Sequence, residues 1–463
     1  MRSPIHLLRL ASAVSAHTLF TTLFVDGENQ GDGTCVRMPK DGETATAPIY
    51  PLTGDDMACG RDGGSPVPFV CPAPGGSTLT FQFRIWPNAE QPGAIDGGHK
   101  GPCSVYIKKV DDMFSDSASG PGWFKIWEDG YEAGSGMWCV DTLIANDGLL
   151  SVDLPTGLPA GYYLVRPELI ALHQAYRGDP QFYHGCAQVF IPDGPEGRLD
   201  IPHEYAVSIP GHVEEDAPGL TFNLYEDEHS TYQIPGPEVY VPESSSSASA
   251  SAAGGTRKEQ RDGKIPDSCL LKNGNWCAKA VPRSSDQKSC WDGVDNCWAQ
   301  SDVCWDTAPV TGGAGCEVWA DYCEILSSAC EEGNYEGPAA FEGEEQFAAV
   351  PGDIPVPYNT FEGTKVGESN KPATATKAAE TDSATAESAP QETSGSSPGE
   401  EVVEWEDGTG RLKVSEDGRC GAETGQTCKG SAFGECCSRK GKCGRKTRHC
   451  ACGCQSGFGE CRE

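Results

Sequence analysis

The sequence predicts an all-β sandwich followed by two small disulfide-rich units. Alternating polar and apolar residues at 79–85 and 104–108 are typical of half-buried strands. Asp-Gly turn signals recur throughout the first half of the chain, and short strands between such turns favour a sandwich. The 23 cysteines fall into three groups: six from Cys35 to Cys186, eight from Cys269 to Cys330 and nine from Cys420 to Cys461.

The first sixteen residues have the features of a signal peptide. Arg2 provides a weakly positive n-region, and Leu7, Leu8 and Leu10 form a short apolar run that Arg9 interrupts. Val14-Ser15-Ala16 is a small-residue cleavage site. Cleavage after Ala16 would leave His17 with a free α-amine. Such a residue offers an amine nitrogen and a ring nitrogen to one metal ion. The alternative is an ordinary N-terminus with an incidental His17.

Composition predicts the cellular compartment of the protein and excludes some partners. Cysteine-rich units indicate disulfides and secretion. After residue 16 no apolar run approaches the roughly 20 residues of a membrane helix, so we expect no membrane span. A net charge of −33 disfavours nucleic acid as a partner. We therefore expect a soluble, extracellular monomer.

Composition also divides the chain into blocks. We expect the sandwich at 17–243 and a Cys/Trp-rich module at 265–335, separated by a Ser/Ala-rich linker at 244–264. An acidic, Ser/Thr/Pro-rich linker at 336–415 leads to a last cysteine-rich module at 416–463, which is too small to fold around a core without disulfides.

Cysteines spaced by seven predict a helical hairpin in the Cys/Trp-rich module. Seven residues are close to two helical turns, so each trio would line one helix face. Antiparallel pairing of the two trios would join Cys304 with Cys316, Cys297 with Cys323, and Cys290 with Cys330. Cys269 would then remain to pair with Cys277. A loop-rich knot is the alternative. We expect Trp291, Trp298 and Trp305 to pack against sulfur rather than to form a sugar platform.

Further candidate residues lie in the sandwich. His99 follows a glycine-rich turn, Asp96-Gly97-Gly98, and Gln181 and Tyr183 share one face of a strand. A lone histidine is usually structural, and a tyrosine on a strand is usually core. His184, His203, His212 and His229 have no motif around them and are interpreted as surface or structural groups.

Together these residues resemble the fungal lytic polysaccharide monooxygenases of auxiliary-activity family 9. The likeness covers 17–243 and includes His17, Gly98-His99-Lys100-Gly101-Pro102, the segments 123–128, 143–146 and 168–173, and Gln181-Phe182-Tyr183 before Cys186. It implies an immunoglobulin-like sandwich with copper on a flat face. His17, His99 and Tyr183 would be the metal ligands, and His173, Gln181 and Tyr183 would take part in catalysis. Nitrogen donors suit Cu(II), whereas structural zinc favours four tetrahedral ligands.

The resemblance also implies a substrate and a disulfide. The substrate would be cellulose or a related β-1,4-glucan, cut oxidatively with electrons from an external donor. Tyr232 is the candidate for stacking on sugar, with a structural tyrosine as the alternative, and Cys59 would pair with Cys186. A different functional class is a catalytically silent, copper-binding wall-adhesion protein on the same scaffold.

The last module resembles the hevein-like chitin-binding module of carbohydrate-binding family 18. The similarity lies in Cys420-Gly421, Cys436-Cys437-Ser438 and Cys454-Gln455, and it implies that Ser438 contacts sugar. Basic residues replace the expected aromatic rings, so chitin binding is in doubt. The six basic residues within 439–448 suggest an anionic wall polymer or the acidic linker as a partner, and a degraded, solvated face is the alternative. A ninth cysteine, Cys452, exceeds the usual eight. The residues at the expected ring positions are Lys440, Lys442 and His449.

Overall fold

The computed structural model describes ten stretches of the chain. The predicted signal peptide, residues 243–256 and most of the acidic linker lie outside them, as do Lys440, His449 and Cys452. The chain divides into two units, 1–372 and 373–463, which are described separately. The described stretches are 17–242, 257–335, 341–345, 350–357, 412–415, 418–421, 424–431, 433–438, 441–444 and 455–461.

Two sheets form the sandwich. The smaller has the strand order β10-β5-β1-β2, and the larger has the order β14-β7-β6-β11-β13-β3, with β12 paired to β11 and β4 to β13. Only short helices interrupt them, α1 at Asp56–Cys59 and α2 at Cys139–Ala145. Strands β1 to β14 are Leu19–Val25, Glu28–Asp32, Val36–Arg37, Cys71–Pro72, Thr78–Arg84, Cys103–Val110, Gly120–Asp129, Tyr131–Glu132, Met137–Trp138, Leu149–Asp153, Gly161–Ala171, Gln181–His184, Cys186–Ile191 and Val207–Ile209.

The alternation in β5 explains how the sheets pack. Leu79, Phe81 and Phe83 point into the core between the sheets and are at most 1% exposed. Burying each such side chain stabilises the fold by roughly 1.5–3 kcal/mol. Gln82 and Arg84 point to the outer face of the smaller sheet, where Arg84 pairs with Asp32 at 2.7 Å.

A second apolar cluster covers the outer face of the larger sheet. It contains Tyr106 and Trp123 from the strands and Leu220 from a loop. Three disulfides fasten this domain. Cys59–Cys186 is confirmed, and the other two are Cys35–Cys71 and Cys103–Cys139.

The Cys/Trp-rich module contains two long helices. After a small hairpin of β15 (Lys272–Asn273) and β16 (Trp276–Cys277), α3 spans Gln287–Thr307 and α4 spans Ala314–Glu331. Its disulfides join the pairs expected from the spacing of seven: Cys269–Cys277, Cys290–Cys330, Cys297–Cys323 and Cys304–Cys316. The three tryptophans on α3 are partly buried against this core, and Trp298 donates a hydrogen bond to Ser327 on α4.

This helical module docks on the edge of the smaller sheet. Asn275 Nδ2 donates to the Gly33 carbonyl at 2.7 Å, and Asn275 Oδ1 accepts from the Cys35 amide at 3.0 Å. A Cβ atom at Gly33 would lie 2.9 Å from the Pro309 ring, so glycine permits this close approach. Residues 257–264 also pack on the sandwich, because the Val70 amide bonds to the Gly263 carbonyl.

The C-terminal unit has little core other than its disulfides. Short strands β17 (Lys413–Val414) and β18 (Gln426–Thr427) pair in parallel, and β19 (Cys436–Cys437) and β20 (Cys443–Gly444) pair antiparallel. Among the described residues, Cys420, Cys428 and Cys437 are the one group of three or more His, Cys, Asp or Glu side chains whose ligand atoms all lie within 4.8 Å of one another. Their sulfurs are already used in Cys420–Cys437 and Cys428–Cys443, so they are no metal site. Within the same described parts, no helix is long and apolar enough to cross a membrane.

Candidate metal centre

Three separate elements bring the predicted metal ligands together. His17 precedes β1, His99 precedes β6 and Tyr183 lies on β12. The ring centroids are 5.8 Å apart for His17 and His99, 5.9 Å for His17 and Tyr183, and 6.0 Å for His99 and Tyr183. Residues distant in sequence therefore form one compact group.

Local hydrogen bonds fix the two histidines. Thr18 Oγ1, beside His17, donates to the Ala94 carbonyl at 2.6 Å. The turn before His99 is closed by Asp96, whose carboxylate accepts from the Gly98 amide and whose carbonyl accepts from the His99 amide. The polar turn residues thus place the His99 ring next to the start of β1.

His99 is buried and has no hydrogen-bond partner on either ring nitrogen. Its Nδ1 is 3.7 Å from an Asp96 carboxylate oxygen, which is too far for a hydrogen bond. Burial, followed by the neighbouring His173 ring, lowers the pKa of His99 to about 4, although Asp96 opposes the shift. Burial also lowers the pKa of His17. Both imidazoles are therefore neutral at pH 7 and have a lone pair for a metal.

The predicted catalytic residues border this group. The His173 ring centroid is 4.3 Å from that of His99, and His173 Nδ1 is buried without a partner. Tyr183 donates its hydroxyl hydrogen to Gln181 Oε1 at 2.8 Å. Burial, followed by Tyr50 and Asp179, raises the pKa of Tyr183, so this residue stays a neutral phenol. Its oxygen lone pairs remain free to face a metal.

Comparisons with known proteins identify the family of this chain. Residues 17–232 match the model of Auxiliary Activity family 9 (formerly GH61). AA9 family lytic polysaccharide monooxygenase H of Botryotinia fuckeliana is 40% identical over 96% of this chain and 95% of its own length. The chain belongs to auxiliary activity family 9. Enzyme C of the same family from Aspergillus tamarii is 47% identical over 73% of this chain and 91% of its own. A solved structure titled CvAA9A is 34% identical, covers 48% of this chain and 98% of that one, and has a TM-score of 0.43.

Three exposed tyrosines of this family 9 domain are connected to the predicted site in sequence or in space, and one of them, Tyr50, interacts electrostatically with Tyr183. Tyr176 is 39% exposed, follows His173 by three residues and has its ring 6.0 Å from that of Tyr225, which is 67% exposed. Tyr50 is 43% exposed and hydrogen-bonds to Asp179. Sequence reasoning singled out none of the three, and only the closeness of Tyr176 to His173 in the chain could have drawn attention to one of them.

Among the described ring contacts, Tyr232 makes none with His17, His99 or Tyr183. Its ring packs edge-on against Trp138 and Phe222, with centroids 4.9 and 5.1 Å away, and its hydroxyl donates to the Gly219 carbonyl. A ring held in this way has little face left for sugar. These contacts favour the structural alternative for Tyr232.

Ser438 lies in the C-terminal unit. Its side chain is buried, and Oγ accepts a hydrogen bond from the Lys442 amide at 3.1 Å. The hydroxyl therefore holds a turn, which limits its access to a sugar.

The remaining histidines of the family 9 domain stand apart from the metal group. His212 and His184 are buried near the Arg166–Glu168 ion pair, in which the closest atoms are 2.7 Å apart. His203 is exposed, and His229 Nε2 hydrogen-bonds to the Leu224 carbonyl. These surroundings agree with surface or structural roles.

Proposed function

We propose that this family 9 protein is a secreted, copper-dependent lytic polysaccharide monooxygenase that cleaves β-1,4 bonds of cellulose or a related glucan. The observation that carries the proposal is that His17, His99 and Tyr183 lie together and that both ring nitrogens of the neutral, buried His99 lack a hydrogen-bond partner. An unpartnered buried polar group costs roughly 1–3 kcal/mol, and a bound metal ion would offset that cost.

The donor set fits copper. His17 would supply its amine, once residues 1–16 are removed, and a ring nitrogen, while His99 would supply a third nitrogen and Tyr183 an oxygen. Nitrogen-rich sets of this kind suit Cu(II). When bound and reduced by an external donor, copper supplies the oxygen chemistry that removes a hydrogen atom from a sugar carbon.

Neighbouring side chains would orient the reactants. Gln181 Oε1 accepts a hydrogen bond from the Tyr183 hydroxyl, which leaves the Gln181 amide NH2 free to donate to a reactant beside the metal. His173, with a buried and unpartnered Nδ1, is placed to exchange a proton with the same reactant. Its pKa is lowered by burial, so it is neutral at pH 7.

The three exposed tyrosines would bind the glucan. Tyr176 and Tyr225 offer rings at the surface, and sugar faces stack on aromatic rings. We propose these two, together with Tyr50, as the substrate contacts in place of Tyr232.

The C-terminal unit would be a hevein-like module that anchors the enzyme to a wall polymer. Its basic segment favours an anionic polymer over chitin, since Lys442, where an aromatic ring is expected, is exposed. The test is retention of the purified full chain on chitin in low and high salt. Loss of retention at high salt supports the electrostatic tether, and salt-resistant retention refutes it.

Copper-loaded protein given a reductant, peroxide and amorphous cellulose tests the enzymatic proposal. We expect oxidised oligosaccharides from the wild type and none from His99→Ala. Absence of oxidised products from a wild type that binds copper tightly would refute the proposal in favour of the silent adhesion protein.

A further inference from the structure

A cleft lined by both polar and apolar groups lies between the smaller sheet and the helical module. Its volume is about 500 Å³, within the roughly 300–1,000 Å³ typical of small-ligand sites. The sheet provides Gln82 and Arg84, the loop after β5 provides Asn88 and Gln91, and the helical module provides Asn273 and Thr311. The last two lie outside residues 17–232, so the family 9 domain alone does not form this cleft.

Buried polar groups form its floor. Gln82 is 3% exposed and Arg84 is 5% exposed, and the two side chains are joined by a 2.7 Å hydrogen bond. Asn273 bridges the start of α4, accepting from the Gly315 amide and donating to the Gly312 carbonyl. The hydroxyl of Thr311, which is 8% exposed, has no partner. Of these groups the Thr311 hydroxyl alone is buried at an energetic cost, and a ligand in the cleft could offer it a hydrogen bond.

The charges that line the cleft balance each other. Its ionisable side chains are two carboxylates, Asp32 and Asp147, and two cations, Arg84 and Lys272. Asp32 and Arg84 neutralise each other at 2.7 Å, and Lys272 lies 3.6 Å from Glu345. Amides and hydroxyls set among apolar groups, with the charges balanced, suit an uncharged ligand that has both hydroxyl groups and apolar faces.

The cleft is connected to the metal group through one loop. Gly93 lines the cleft, and the next residue, Ala94, accepts the hydrogen bond from Thr18 beside His17. Thr22, on β1, pairs with Asp32 of the cleft and follows His17 by five positions, which span at most about 16 Å of extended chain. A polysaccharide chain crossing the metal group is long enough to reach the cleft as well.

We propose that this cleft binds a neutral stretch of carbohydrate chain, at a distance of several sugar units from the bond being cut. This inference rests on the proposed function, because it assumes that the substrate is a glucan. The helical module would then extend the substrate surface of the family 9 domain.

Hydrogen exchange of the full copper-loaded chain, without reductant, measures this binding with soluble cellohexaose as the probe. We expect the sugar to slow exchange in the peptide 308–316, which lies in the helical module. Ala314, exposed and lining the cleft, is replaced by methionine to narrow it; the matched control is Ala299→Met, an exposed helix position outside the lining. Ala314→Met is expected to weaken binding of the sugar, and with it the protection, about tenfold, because the narrower cleft would cost the ligand one or two hydrogen bonds. Ala299→Met is expected to leave the protection unchanged.

Two outcomes overturn the proposal: no protection at 308–316, or protection that Ala314→Met leaves intact. Oxidised products from amorphous cellulose are measured on the same proteins. Products without protection refute the cleft alone, whereas protection without products refutes the proposed function and leaves the cleft as a sugar site.

Discussion

His99 shows at the scale of one residue why a buried polar group indicates function. Its two ring nitrogens lack partners although the residue is only 5% exposed, whereas buried polar groups are ordinarily hydrogen-bonded. The sequence predicted His17, His99, His173, Gln181 and Tyr183 as one group through family motifs. It left open whether Tyr232 stacks on sugar or is structural, because whether a tyrosine packs against its neighbours depends on loops that no local pattern encodes.

Replacing His99 by alanine is expected to lower Cu(II) affinity on the order of 100-fold or more. The reason is the loss of one nitrogen donor, and titration calorimetry measures it. His203→Ala, at an exposed histidine, is the matched control and should bind copper like the wild type. Unchanged affinity in His99→Ala would remove this residue from the site.

Tyr225→Ala is expected to weaken binding to cellulose about tenfold, as loss of a stacked ring worth 1–2 kcal/mol would. Its ring is 67% exposed, so the melting temperature should change little. Phe114→Ala, at a 38% exposed ring on another loop, is the control. Equal binding by Tyr225→Ala and the wild type would exclude Tyr225 from the substrate surface.

His212 predicts a pH dependence of stability. It is buried 3.6 Å from Glu168, and burial lowers its pKa below 6.5, with Glu168 opposing and Arg166 and Lys125 adding to the effect. As the pH falls, His212 takes up a proton in the unfolded chain before it does so in the folded protein. The free energy of unfolding that this residue contributes is therefore complete above pH 6.5 and is lost as the pH falls towards the folded pKa. In His212→Gln the free energy of unfolding should therefore fall less between pH 7 and 5, measured by denaturant titration of the copper-free protein. Exposed His203→Gln should follow the wild type, and an identical slope in His212→Gln would contradict this assignment.

At the scale of elements, local spacing was more informative than alternation. Cysteines seven apart encode a helix face directly, so the pairings around Cys297 and Cys323 followed from the sequence. The strand pattern predicted a sandwich, but not its strand order, because pairings such as β11 with β6 join residues far apart in the chain. Likewise, nothing local indicated that Cys35 pairs with Cys71.

Removing the central cross-link by the double change Cys297→Ala and Cys323→Ala should destabilise the helical module by about 3–4 kcal/mol, since the closed loop spans 26 residues. Circular dichroism at the helix band measures it, because the two long helices lie in this module. The same change at Cys269 and Cys277, eight residues apart, should cost less. Equal losses would show that loop closure is not the source of the stability.

At the scale of the whole molecule, the first unit joins the sandwich and the helical module through specific contacts. Asn275 makes two of them, to the Gly33 carbonyl and the Cys35 amide. Composition alone suggested two domains on a free linker. Residues 257–264 instead pack on the sandwich, because their backbone and side chains find partners such as Val70 that only the folded sheet presents.

Asn275→Ala should loosen this docking by about 1–3 kcal/mol, as two hydrogen bonds are lost. Scanning calorimetry should then show the helical module melting before the sandwich. Asn296→Ala, at an exposed asparagine on α3, should keep the wild-type trace. A wild-type trace for Asn275→Ala would mean that other contacts hold the module.

Copper titration of two versions of the full chain, one beginning at His17 and one that keeps Ala16 before it, examines the proposed metal site itself. With a free His17 amine we expect one tightly bound Cu(II) whose electron paramagnetic resonance spectrum shows nitrogen ligands. With Ala16 retained, the amine becomes an amide and affinity should fall on the order of 100-fold. Equal affinity and identical spectra for the two proteins would contradict a site built on the N-terminal histidine.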